Sequence, residues 1–265
     1  MIKNTLFRCA MGMAVAGVFG ESALAQQSIT SFLGISYSQN FNTLATTGTG
    51  LTTPLPANWL LSENGTSAAG NYTAGTGSAA TVDLYSFGST SSTERALGST
   101  FTSANGMFGI VFQNNTGRTI NSLYIGYTGE QWRQGTSGGV GVGLDRLDFS
   151  YKANTTTMFG TGWTDFNALD FTTPNTTSGA NVALDGNAAG NFTLKGSFIT
   201  GLNIPNGQSF GIRWRDSNGQ GTDDGLAIDD LIVMVPEAWH PAAVAGFGLL
   251  GLAAWQRRRS AQGSR

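Results

Sequence analysis

The chain has one cysteine, one histidine and little charge. Cys9 falls in the first ten residues and His240 in the last thirty. The long stretch between them has neither. A disulfide framework and thiol chemistry are therefore excluded there. His-based zinc sites, Ser-His-Asp triads and Cys-His dyads are excluded with them. Residues 26–234 carry eight basic and fourteen acidic residues, a net of −6, whereas the whole chain is −2. Phosphate backbones need clustered Lys and Arg, so nucleic acid is not a partner. Glutamate is scarce too: Glu63, Glu94 and Glu130 are the only ones in residues 26–234. Glycoside hydrolysis needs a carboxylate pair. No nucleophile motif surrounds any of these three, and the chain reads as a non-enzyme.

Helical periodicity is also nearly missing between residues 26 and 234. Short alternating runs replace it, at 107–113, 120–127, 146–151, 191–199, 208–215 and 225–235. Asn-Gly pairs at Asn206-Gly207 and Asn218-Gly219 separate some of them, because Asn and Gly take positive φ cheaply. Stretches 46–56 and 172–181 are rich in Thr, Asn, Gly and Pro and read as loops. No period repeats, so a solenoid is not expected. Strand and turn in alternation over about 210 residues predict one all-β domain, an antiparallel β-sandwich of jelly-roll type. Phe210, Ile212 and Trp214 share one strand face, as do Leu147, Phe149 and Tyr151. Those faces are the expected core, worth about 1.5–3 kcal/mol per large side chain buried.

Two segments could carry chemistry. The first is acidic: Asp216, Asp223, Asp224 and Asp229 within fourteen residues rich in Gly and Asn. Calcium takes six to eight oxygens from such groups. The same residues also suit a turn whose carboxylates accept backbone N–H bonds. An EF-hand is excluded, since no glutamate follows at the required spacing and no helices flank the loop. The second is Glu130-Gln131-Trp132-Arg133, read as a loop after the 120–127 strand. Trp132 and Arg133 beside Glu130 could contact a glycan or anchor the loop. The glycine run 135–143 lacks a following helix and lysine, so it is no phosphate cradle. The phrase Gly225-Leu226-Ala227-Ile228-Asp229-Asp230-Leu231 resembles the closing strand of MAM-type extracellular jelly rolls. That resemblance implies one aspartate turned toward a bend or cation and the other outward.

The two ends are signals. Lys3 and Arg8 precede an apolar run from Cys9 to Phe19, and Ala23-Leu24-Ala25 offers a small-residue cleavage site. Residues 1–25 are thus expected to be a signal-peptide helix and residues 26–234 the mature domain. At the other end Val235, Pro236 and Glu237 precede a short apolar helix, about 242–255. Arg257, Arg258 and Arg259 close it. Arginines after an apolar helix stay on the cytoplasmic side. About fourteen residues is short against the roughly 17–25 of a lasting span. This tail resembles a PEP-CTERM sorting signal, with Ala238 where the family usually has a second proline. The resemblance implies an exosortase-type processing enzyme as partner and transient anchoring in the inner membrane. The expected protein is an exported cell-envelope or extracellular-matrix component of structural or adhesive type. The alternative is a carbohydrate-binding module with a structural calcium ion (Ca2+), its partner an extracellular polysaccharide.

Overall fold

The computed structural model describes residues 26–31, 34–68, 70–101, 106–136, 144–176, 181–217 and 222–236. Both expected terminal helices lie outside these residues, as do Glu237, Arg257, Arg258 and Arg259. Among the described residues no helix is long and apolar enough to cross a membrane.

In chain order the strands are β1 (Gln27–Ile29), β2 (Ile35–Gln39), β3 (Trp59–Ser62), β4 (Thr73–Gly75) and β5 (Leu84–Phe87). Next come β6 (Ala96–Ser99), β7 (Met107–Asn114), β8 (Ile120–Gln134), β9 (Arg146–Ala153) and β10 (Thr164–Asp165). The last are β11 (Phe171–Thr172), β12 (Val182–Ala183), β13 (Phe192–Ile204), β14 (Ser209–Ser217) and β15 (Gly225–Met234). One sheet runs β1-β7-β14-β9-β10, with β3 also on β7 and β11 on β9. The other runs β12-β8-β15-β6-β5-β4, with β13 also on β8 and β2 on β15. The expected all-β sandwich is the observed fold. It departs from a purely antiparallel one in two short parallel pairs, β1 with β7 and β4 with β5. Both lie at sheet margins, where a chain can return from a distant loop without a tight hairpin.

Alternation builds the core as read. Phe210, Ile212 and Trp214 are buried, as are Leu147 and Phe149, with Tyr151 packed against them at the margin. Trp214 is the hub. It stacks near Trp59 and Phe108, with centroids at 6.3 and 6.0 Å, and meets Tyr127 and Phe149 edge-on at 5.3 Å. Tyr127 comes from β8, so this contact joins the two sheets. The Tyr127 hydroxyl, fully buried, donates to the Leu169 carbonyl.

A second, smaller cluster lies on the far side of the eight-stranded sheet. Tyr85, Phe87, Ala96, Trp132 and Ala227 compose it. Segments around Gly77 and Gly186 cover it so closely that a Cβ on Gly77 would sit 1.8 Å from the Trp132 carbonyl oxygen. Only glycine permits that approach, and Gly77 also has φ +81°. Part of this sheet is therefore buried on both faces.

The closing strand contains a bulge. Asp229 pairs with Thr128 and Ile232 with Gly126, so β15 spends three steps where β8 spends two. Asp230 takes the extra place with φ 49°, and its N–H donates to Asp229 Oδ1 at 2.7 Å. The extra residue resets the alternation. Ile228, Leu231 and Val233 all reach the main core, while Asp229 falls on the opposite face with Ala227.

Candidate cation and surface sites

The segment 130–133 is not a loop. It continues β8, and Glu130, Trp132 and Arg133 are 0%, 1% and 3% exposed. A glycan contact through these residues is overturned by that burial. Trp132 stacks flat on Phe87 at 6.3 Å, and its indole N–H donates to Glu130 Oε2 at 2.9 Å. Arg133 donates to the carbonyls of Gly77 and Ser78 and to the Asn181 side chain. These are anchors that fasten the covering segments to the sheet.

The four aspartates of the acidic segment divide between two places. Asp216, at the end of β14, and Asp223 and Asp224, just before β15, come together at one end of the sandwich. Asp145, just before β9, joins them, and it was not read from the sequence. All four are buried. Asp224 N–H donates to Asp145 Oδ2 at 2.7 Å. The Asp224 carboxylate accepts from Gly135 N–H at 2.6 Å and Gln131 Nε2 at 3.0 Å. Asp216 Oδ2 accepts from Ser99 Oγ at 2.6 Å and Phe101 N–H at 3.0 Å. Asp223 differs: both its carboxylate oxygens are buried and without a hydrogen-bond partner.

Burial sets the protonation here. It pushes the Asp216 carboxyl up to about 8, against the lowering pull of Ser99 and Phe101, with Asp223 and Asp145 adding to the rise. It pushes Asp223 up to about 7, helped by the charges of Asp145 and Asp224. Asp224 is raised for the same first reason. A buried carboxylate cluster of this kind holds either protons or a cation.

Asp229 belongs elsewhere. On the outer face of the eight-stranded sheet its carboxylate meets those of Glu130 and Glu94, with ligand oxygens within 4.8 Å of one another. Glu94 Oε2 accepts from Asn187 Nδ2 at 2.7 Å. Asn187 lies on the segment between β12 and β13. The strand pattern of β15 and the bulge after Asp229 explain the separation from Asp223 and Asp224.

A surface feature was also missed. Trp59, Trp132 and Trp214 are buried. Trp163 is the one tryptophan among the described residues that remains partly exposed. It lies over the outer face of the seven-stranded sheet. The Arg213 guanidinium sits 4.1 Å from its ring centre. Arg213 is fixed by Ser150 Oγ at 3.1 Å and the Met158 carbonyl at 2.8 Å. Lys152 Nζ, donating to the Thr161 carbonyl at 2.7 Å, lies on the same face. A sequence signal was available, since alternation puts Arg213 opposite the Trp214 face. Nothing local to Trp163 shows that it returns to that strand.

Val235, the first residue of the expected sorting motif, is 1% exposed and packs in the main core. Its N–H donates to Ser36 Oγ at 3.3 Å. Pro236 is buried too. The domain thus extends to the motif's own threshold.

No family model and no curated protein matches the chain. Several solved structures overlap it in part. TmCBM61 in complex with β-1,4-galactotriose is 10% identical, with a TM-score of 0.28 over 55% of this chain and 74% of that one. The K2 cleaved adhesin domain of Lys-gingipain is 16% identical, with a TM-score of 0.37 over 75% of this chain and 97% of that one. The enzymatically active domain of bacteriophage CBA120 tailspike protein 4 is 13% identical, with a TM-score of 0.35. That match covers 74% of this chain and 21% of the tailspike chain. Likeness of this degree carries no conclusion about function.

Proposed function

We propose that this chain is an exported β-sandwich domain of the cell envelope or extracellular matrix that binds polysaccharide and performs no catalysis. The observation that carries the reading is the Trp163–Arg213 surface. A partly exposed indole offers a flat apolar face to a sugar ring, and Trp joins an apolar body to a polar tip. Arg213, 6% exposed, holds the indole from beneath and fixes its orientation. The covering segment 154–163 holds both in place before a ligand arrives, which lowers the ordering cost of binding.

The test is a glycan array with the mature body, residues 26–236, and its Trp163→Ala variant. Binding to at least one extracellular polysaccharide is expected. Trp163→Ala should weaken it about tenfold, or about 1.4 kcal/mol, with its far-ultraviolet circular dichroism unchanged. A body that binds no polysaccharide would sink the reading.

Export rests on the two signals. The order Pro-Glu, short apolar helix, Arg cluster supports a transient hold in the inner membrane and processing by an exosortase-type enzyme. Deleting residues 237–265 is expected to release the protein into the medium. Unaltered cell association after that deletion counts against the sorting role.

A calcium ion belongs to the same reading, because Asp223 keeps two buried, unpartnered oxygens beside three further carboxylates. Asp223, Asp145, Asp224 and Asp216 are the residues that would hold it. The ion would neutralise their charge and tie the start of β15 to the ends of β14 and β9.

A further inference from the structure

We infer that Glu94, Glu130 and Asp229 form a separate calcium site, which pins the 184–191 segment onto the outer face of the eight-stranded sheet. Three observations carry it. The three acids bring carboxylate oxygens within 4.8 Å of one another, although Glu130 is 0% and Asp229 1% exposed. Thr128 is 1% exposed, and its hydroxyl has no hydrogen-bond partner. Asn187 gives its amide N–H to Glu94, while its Oδ1 is buried and unpartnered.

The strands explain why these groups meet. Thr128 is the cross-strand partner of Asp229, and partners in an antiparallel pair share a face. Glu130 lies two positions along β8, on that same face. The Thr128 side chain therefore lies on the same face as the acids, away from the main core. Glu94 comes in from the residues before β6, and Asn187 from the covering segment. Leu184 N–H already ties that segment to the Trp132 carbonyl at 2.8 Å.

The donor set identifies the cation. Carboxylate, amide and hydroxyl oxygens without nitrogen or sulfur suit a hard ion. Donors from four separate segments in an irregular array suit calcium better than the strict octahedron of magnesium. A buried hydroxyl and a buried amide oxygen with no partner are costly groups. One ion would satisfy both and bridge the three carboxylates. Glu94, the one partly exposed member, lies on the side nearest solvent. This site is independent of the Asp223 cluster and of any glycan bound at Trp163.

The test measures calcium bound per chain, by equilibrium dialysis of the purified protein against calcium chloride. Parent, Glu130→Gln, Thr128→Val and Asp223→Asn are compared, with magnesium chloride as a control. Glu130→Gln should bind one equivalent fewer than the parent, whatever Asp223→Asn does. Failure at Asp223 alone would leave this site standing. Thr128→Val separates a site from a mere defect. It should weaken calcium binding at the Glu130-dependent site about tenfold, while raising the melting temperature in chelator by removing an unpartnered hydroxyl. If Glu130→Gln and Thr128→Val both bind as much calcium as the parent, with the same affinity, the proposal is overturned. If the Glu130→Gln chain does not fold, unchanged calcium affinity in Thr128→Val overturns it alone.

Discussion

Trp214→Ala is expected to lower the unfolding free energy by about 3–5 kcal/mol, within the range for losing a large buried aromatic. Single domains are stable by only about 5–15 kcal/mol, so this one change would remove much of the margin. The site explains the size. Trp214 is 0% exposed and touches rings from both sheets, Tyr127 on one and Trp59, Phe108 and Phe149 on the other. Strands on either side fix its neighbours, so little collapse into the cavity is expected. The indole N–H makes no well-formed hydrogen bond, with only the Tyr127 hydroxyl close enough to interact with it. The loss is therefore mainly packing, and Trp214→Phe should recover more than half of it by keeping a ring in the same place. Urea unfolding followed by far-ultraviolet circular dichroism checks both. A cost below about 1 kcal/mol for Trp214→Ala would show that this ring is not the hub.

That core was legible because β14 obeys a simple rule. One face of Ser209–Ser217 meets the other sheet, and the large apolar residues alternate accordingly. Five other long strands were read the same way. The far end of β8 was not, for a physical reason. Thr128, Glu130, Gln131 and Arg133 look like solvent-facing loop residues. Thr128, Glu130 and Arg133 are buried because a second layer, from around residues 77–96 and 181–191, covers the outer face, while Gln131 pairs with Asp224 and the Asn175 backbone. No local pattern reports a cover supplied from so far along the chain. The short strands β3 to β6 fail for a related reason: four residues or fewer give too little alternation to distinguish from a turn.

The acidic segment was half legible. Asp216, Asp223 and Asp224 do converge. Asp145 was missed because it stands 79 positions from the Asp224 backbone that binds it. Asp229 was grouped with them by nearness in sequence, but the strand carries it away and the bulge at Asp230 fixes it on the opposite face. The Asp-Asp pair thus serves two ends. Asp229 caps the bulge N–H and faces Glu130, while Asp230 takes the backbone angle that lets Leu231 return to the core.

The second large effect concerns pH and calcium at the Asp216–Asp223 cluster. Without calcium, stability is expected to fall as pH rises from about 4 to about 8. The sign follows from proton binding. In the folded chain Asp216 holds its proton up to about 8 and Asp223 up to about 7. Unfolded, both ionise near the ordinary 3.8. Between those limits the folded state binds more protons, so raising the pH favours unfolding by up to about 1.4 kcal/mol per pH unit for each group. The stabilising contribution is complete below about 4 and gone above about 8, a swing of several kcal/mol. Calcium reverses the logic, since it binds only the ionised carboxylates and releases their protons on entry. With the ion in excess the loss at high pH should disappear, and stability at pH 8 should match or exceed that at pH 5. Thermal melts at pH 5, 6.5 and 8, each in chelator and in calcium, measure this directly. Asp223→Asn should flatten the chelator profile and weaken the calcium effect, since it removes a titrating group and a ligand together. A chelator profile that is flat in the parent, with melts indifferent to calcium, would mean that hydrogen bonds alone hold this end of the sandwich.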